Sequence, residues 1–160
     1  MKAILLTFCF LLFTSITYSQ DILKLKRIDS LVNVINNLKA KIEKDTILND
    51  LPYVGISVKT HLSMILDNDQ LRKYVSTAHS VKLENDVSTE TVTSSAFYYD
   101  QNVLIKVEEF AMQGDDIVHF DWYYSDDKCI YYTLQSERAG DRANLLLSMS
   151  KGLLTQTIKK

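Results

Sequence analysis

Phe97-Tyr98-Tyr99-Asp100-Gln101-Asn102-Val103-Leu104-Ile105 is answered, 25 residues later and without a gap, by Trp122-Tyr123-Tyr124-Ser125-Asp126-Asp127-Lys128-Cys129-Ile130. Each copy is an aromatic triplet, a polar triplet and a β-prone run, the pattern of a strand, a turn and a returning strand. The doubled hairpin sets the expected fold. It predicts an antiparallel meander with strands near Val92–Tyr99, Val103–Ala111, Asp116–Tyr124 and Lys128–Ser136. Val81, Leu83 and Val87 could supply a fifth strand at the edge.

Directly opposed residues of an antiparallel pair share a face, so a register can be argued. Val103, Ile105 and Val107 match Val118, Phe120, Trp122 and Tyr124 through a four-residue loop at Met112–Asp115. That register opposes Val103 to Tyr124, Ile105 to Trp122 and Val107 to Phe120, and on the other face Lys106 to Asp121 and Glu108 to His119. A two-residue turn at Gly114-Asp115 would set Glu108 against Asp121, a like-charge pair that cross-strand pairing disfavours by roughly 0.2–1 kcal/mol. Three-residue loops at Asp100–Asn102 and Ser125–Asp127 then turn Phe97, Tyr99, Trp122 and Tyr124 into the core, with Phe97 facing Ile105 and Trp122 facing Ile130.

Upstream, Leu25, Ile28, Val32, Ile35 and Ile42 recur at helical spacing between Asp21 and Lys44. Leu31 and Leu38 widen the seam, which predicts a long amphipathic helix laid on the sheet. A short strand at Val54, Ile56 and Val58 is expected next. Then comes a helix capped by Asp67-Asn68-Asp69 and carrying Leu71, Tyr74, Val75 and Ala78. Those two acids lack the glycine and glutamate of an EF-hand calcium loop. Ala143, Leu146, Leu147, Met149 and Leu153 predict a C-terminal helix that frays near Gly152.

A chain of 160 residues can bury a core without a metal or disulfide. Its 46% apolar and 24% charged residues have the balance of a folded domain. Lys2, the apolar run Ala3–Phe13 and the small or polar Thr14, Ser15, Thr17 and Ser19 read as a secretory leader cleaved after Ser19. The run is too short to span a bilayer. The expected product is one exported α+β domain at residues 20–160, periplasmic or extracellular. It would carry 17 basic against 20 acidic residues, a balance that disfavours nucleic acid and anionic membrane surfaces as partners. Cys129 would be its only cysteine, so no internal disulfide can form.

The register aligns Tyr98, Leu104, Tyr123 and Cys129 in one row on the sheet face away from the long helix, with Ala96, Lys106, Asp121 and Tyr131 in the next. Tyr98, Leu104, Lys106, Asp121, Tyr123, Cys129 and Tyr131 form the expected binding surface, because tyrosine offers contact area and a hydrogen-bonding tip at low entropic cost. Catalysis has a narrower basis. Glu108, His119 and Asp121 could act as acid and base, or hold a metal. His61, His79 and His119 lie in three separate predicted elements, and no metal-ligand spacing, phosphate loop or nucleophile elbow is present. No cofactor is implied.

On these residues, Ala96 to Thr133 resembles the hairpins of small exported bacterial proteins of unknown function that carry two Tyr-Tyr-Phe-Asp-x-Gly-Lys-Leu-like sequences. This chain has Asn102 and Asp127 where such hairpins carry Gly. More loosely it is similar to PepSY-like and β-lactamase-inhibitor-like modules, and that resemblance implies helices packed on an antiparallel sheet. The expected function is non-catalytic binding of a protein or cell-envelope component. A small hydrolase using Glu108, His119 and Asp121 and a carrier of an apolar ligand are the alternatives.

Overall fold

A computed structural model of the chain describes residues 21–39, 41–51, 55–84 and 87–158. The leader expected at residues 1–19 lies outside them. Helix α1 (residues 21–36) precedes β1 (Lys41–Leu51), β2 (Ile56–Asp67), β3 (Gln70–Glu84), β4 (Val87–Asp100), β5 (Val103–Gln113), β6 (Asp116–Ser125), β7 (Lys128–Tyr132) and helix α2 (Ala139–Ile158). The strands form one antiparallel sheet in chain order, each paired with the next. The α+β class and the meander match the expectation; the strand count is seven instead of four or five.

The duplicated sequence is a structural unit, and it occurs three times. Gln101 and Asn102 (φ 50° and 63°) and Asp126 and Asp127 (φ 52° and 60°) form two-residue turns with both φ values positive, as type I′ turns require. Asn68 and Asp69 do the same between β2 and β3 (φ 50° and 61°). Each turn is followed by a bulge, at which Arg72, Ile105 or Ile130 is the extra residue. Met64-Ile65-Leu66 thus occupies the place of Phe97-Tyr98-Tyr99 and Trp122-Tyr123-Tyr124. Met64 opposes Tyr74 just as Phe97 opposes Val107 and Trp122 opposes Tyr132.

Several expectations are corrected by this arrangement. The helix predicted over Leu71–Ala78 is part of β3, because Asp67-Asn68-Asp69 is hairpin-turn chemistry and not a cap. The N-terminal helix stops at residue 36, and Lys41–Leu51 forms β1. The polar stretch is no edge: residues 80–84 end β3 and residues 87–91 begin β4, inside the sheet. Two-residue turns with bulges replace the three-residue loops, so Phe97 pairs with Val107 and not with Ile105. The last strand ends at Tyr132. Helix α2 runs through Gly152 because Leu153 and Leu154 still reach the core.

The two faces of the sheet are buried by different helices. Phe97, Tyr99, Leu104, Val107, Trp122 and Tyr124 pack with Leu71 against Ala139, Ala143 and Leu146 of α2. Tyr98, Ile105 and Tyr123 pack against Ile28, Val32 and Ile35 of α1. Phe97, Tyr99, Trp122 and Tyr124 are in the core as expected. Tyr124 donates a hydrogen bond to the Ala143 carbonyl (3.0 Å), and Arg142 of α2 forms an ion pair with Glu109 on β5.

Burial then fades along the strands. Residues 122–124 are buried, whereas 116–119 on the same strand are all exposed, although consecutive residues point to opposite faces. Both helices therefore cover the end of the sheet that carries the three repeated turns. Among the described residues the other end is a single layer, open on both faces.

Candidate functional site

The expected binding surface is not one face. Pairing places Tyr98, Lys106, Tyr123 and Tyr131 in one row beneath α1, with Ala96, Glu108 and Asp121 in the next. Leu104 and Cys129 belong to the α2 side. Five of the seven residues are therefore brought together, and two are not. Nor is the surface open: Tyr98, Leu104, Lys106 and Tyr123 are all buried, while Tyr131 is 48% exposed. The reason lies at the bulges, where Ile105 and Ile130 each add a residue and shift Leu104 and Cys129 out of the tyrosine row.

At the centre sits Lys106, a buried ammonium with three carboxylates around it. Its Nζ is 3.2 Å from Asp29 Oδ1 of α1, 3.1 Å from Glu108 Oε1 and 3.4 Å from Asp121 Oδ1. It also lies 4.7 Å from the centre of the Tyr123 ring. Tyr123 donates to Asp29 (2.9 Å) and Tyr98 donates to Glu108 (2.7 Å). Asp121 Oδ1 has no hydrogen-bond partner despite its distance from Lys106, so the attraction between them is charge alone.

This geometry overturns the expected register. The turn between β5 and β6 is the two-residue Gly114-Asp115, with Gly114 at φ 58°, and Glu108 does oppose Asp121. Pairwise repulsion would disfavour that register, but Lys106 lies close to both acids and converts the repulsion into two attractions. Lys106 accordingly opposes Tyr123 and not Asp121.

Protonation follows from the same contacts. Burial alone would lower the Lys106 ammonium, but the partnership with Tyr123 and the hydrogen bond and charge of Glu108, with Asp121, outweigh it and hold Lys106 above the ordinary lysine range. It is a fixed cation and not an amine nucleophile. Burial, then the hydrogen bond to Glu108, pushes the Tyr98 hydroxyl up. Burial likewise pushes up the Cys129 thiol, which packs at the edge of the α2 core.

The catalytic alternative finds its residues near one another. His119 Nε2 lies 3.7 Å from Asp121 Oδ1, and Asp121 opposes Glu108. Both acids are engaged by Lys106, and the His119 side chain is 53% exposed on the open part of β6. No set of three or more His, Cys, Asp or Glu side chains among the described residues is arranged to hold a metal ion.

What sequence reasoning missed is the open half. On the α1 side, Thr46, His61, Thr77, Ser94, Phe110 and His119 form one row across six strands. His79 lies in the next row, its ring 5.9 Å from that of His61, so all three histidines share this face. On the α2 side the matching row is Ile47, Thr60, Ala78, Thr93, Ala111 and Val118. A cavity of about 300 Å³ lies near the β1 edge, between Lys44, Thr46, His61, Ser63 and Thr77. Leu62 and Val75 also line it, and all of its lining comes from β1, β2 and β3, whereas a carrier's void would lie between sheet and helix. The available signal was the Ser- and Thr-rich alternation from Val87 to Ser95, which suits a strand wet on both faces.

Among the described residues no helix is long and apolar enough to cross a membrane. Searched against family models, curated proteins and solved structures, the chain matches none of them.

Proposed function

We propose that the chain is a non-catalytic, exported interaction module that binds a protein or a cell-envelope component through the open half of its sheet. The observation that carries this reading is the pair Ile117 and Val118. They are neighbours on β6, lie on opposite faces, and are 63% and 47% exposed. Apolar side chains on both sides of a single layer are contact surface that no described residue covers. Flanking Ser, Thr and His side chains supply hydrogen bonds, and the helices packed on the other half leave this half uncovered. The leader-like residues 1–19 and the resemblance to exported hairpin proteins support a place outside the cytoplasm. The tyrosine and lysine cluster then serves as scaffold, with Tyr131 as its accessible member.

Photocrosslinking in cells tests this. A benzophenone amino acid at Val118 should trap a discrete adduct, whereas the same probe at Met149, 46% exposed on α2, should not. Equal labelling at both positions, or none at Val118, would remove the reading.

A further inference from the structure

Strand pairing sorts the lining of the cavity near the β1 edge by face. Lys44, Thr46, His61, Ser63, Val75 and Thr77 lie in two adjacent rows on the α1 side of β1, β2 and β3. Asp45 and Leu62 also line it, but pairing places them on the opposite face, and the Asp45 carboxylate accepts the Thr46 amide (2.7 Å). The cavity's own face therefore offers a lysine, an imidazole, three hydroxyls and a valine, with no carboxylate. Thr46 Oγ1 and His61 Nδ1 are 3.2 Å apart, so Nε2 is the ring nitrogen left for a ligand. The next row on this face adds two more bases. Lys59 directly opposes His79, and the His79 ring lies 5.9 Å from that of His61. Neither Lys44 nor Lys59 has an ion-pair partner among the described residues.

The nearest acids along these strands stand one row further on, where Asp50 and Glu90 are in line with Ser57 and Val81. Strands rise about 3.4 Å per residue, so that row is roughly 14 Å from Thr46 and His61, beyond the ~8 Å screening length at physiological salt. Lys59 and His79, at roughly 7 Å, are within it. Glu90 reaches His79 alone, at 3.8 Å, from a side chain 66% exposed, and Glu108, two strands beyond Val75, is engaged by Lys106. The bases thus set the field at the cavity. Once its ring is protonated, His79 opposes Lys59 as one like charge against another, which is the conflict that Lys106 resolves for Glu108 and Asp121. Here the resolving charge has to come from outside. We propose that the cavity binds a doubly charged oxyanion, a phosphate or sulfate group, with Lys44, His61 and the Thr46, Ser63 and Thr77 hydroxyls as donors and Lys59 and His79 strengthening the field. A dianion gains from each cation about twice what a carboxylate gains, and its several oxygens can meet donors from three strands. The site shares no residue with the pair Ile117 and Val118, so it is independent of the reading of the open half.

The chain has three histidines, and His119, on β6 three strands away from His79, is the internal reference. Proton NMR of the full chain, titrated with sodium sulfate and with sodium chloride at equal ionic strength, reads all three rings. At about pH 5.5, below the ordinary histidine value of roughly 6.5, sulfate should move the His61 and His79 resonances saturably and leave His119 in place. At about pH 8, without the imidazolium charges, sulfate should bind about tenfold more weakly. Lys44→Gln with Lys59→Gln should abolish the response, while the His119 resonance and the fluorescence of the single tryptophan, Trp122, report that the fold is intact. Three rings moving together, or no ring moving at either pH, overturns the proposal. So does acetate acting as strongly as sulfate, or a sulfate response that survives the loss of both lysines.

Discussion

One sheet carries two regimes. In the half clad by α1 and α2, Phe97, Tyr99, Val107 and Trp122 are at most 1% exposed, and every copy of the repeated hairpin lies there. In the open half the same strands continue with Ser, Thr, Ala and Val and keep their ladder with no described residue layered above or below. Backbone pairing runs through both, and its three register shifts all lie in the clad half, so regularity of the ladder does not account for the difference. The contrast teaches that the ladder sets the shape of this molecule while the repeat end sets its stability, which leaves the open end free to vary in chemistry.

The largest expected effect breaks the clad half at its centre. Trp122 is fully buried in the α2 cluster, so Trp122→Ala should destabilise the fold by about 3 to 5 kcal/mol. Thr93→Ala, at an exposed position on the same sheet face in the open half, should cost less than about 1 kcal/mol. Urea unfolding followed by circular dichroism measures both. Comparable losses would mean that stability is spread along the strands and that the two halves are not distinct.

Next in size is the charged contact that fixes α1. Lys106→Ala should cost about 2 to 3 kcal/mol, below the roughly 3 to 5 of a fully buried pair, because Asp29, Glu108 and Asp121 keep some contact with water. The pH dependence has a definite sign. Lys106 is held above its ordinary value of 10.5, so its contribution is whole below that pH and is lost as pH rises through the folded-state value. Tyr98, Tyr99 and Tyr124, pushed up by burial, act in the same direction. Wild-type stability should therefore hold through neutrality and fall above about pH 10. Lys106→Ala should show a shallower alkaline loss, and an unchanged alkaline limb would remove Lys106 from the account.

These clad residues were the readable part of the sequence. The doubled aromatic triplet placed Phe97, Tyr99, Trp122 and Tyr124 in the core, and helical spacing found Ile28, Val32 and Ile35. The third copy was hidden because Met64-Ile65-Leu66 keeps the apolar character of the motif and loses its aromatics. Leu71, Tyr74, Val75 and Ala78 imitate helical spacing, since β3 is half-buried on both faces and lacks a clean two-residue alternation. Ile42 fell seven residues after Ile35, which extended an apparent helix into β1. The site was hidden for another reason. A rule about pairs of charges ruled out Glu108 opposite Asp121, and only three-dimensional packing puts Lys106 next to both.

The smallest effect separates the turns of the two halves. At the clad end Asn102 and Asp127 hold φ near 60°, a region where side chains other than glycine carry residual strain. At the open end Gly114 holds φ 58°, and a Cβ added there would meet nothing within 4 Å, so glycine answers only the backbone angle. Packing of the aromatic triplets fixes the clad turns whatever their residues, whereas the open turn has only its own chemistry to fix it. Asn102→Gly should therefore stabilise by about 0.5 to 1 kcal/mol, and Gly114→Asn should destabilise by a similar or smaller amount. Thermal unfolding should show the two midpoints moving in opposite directions, by roughly 2 °C each. If Asn102→Gly lowers the midpoint instead, the asparagine side chain holds the clad turn through a contact that outweighs its backbone strain, and turn chemistry no longer distinguishes the two ends.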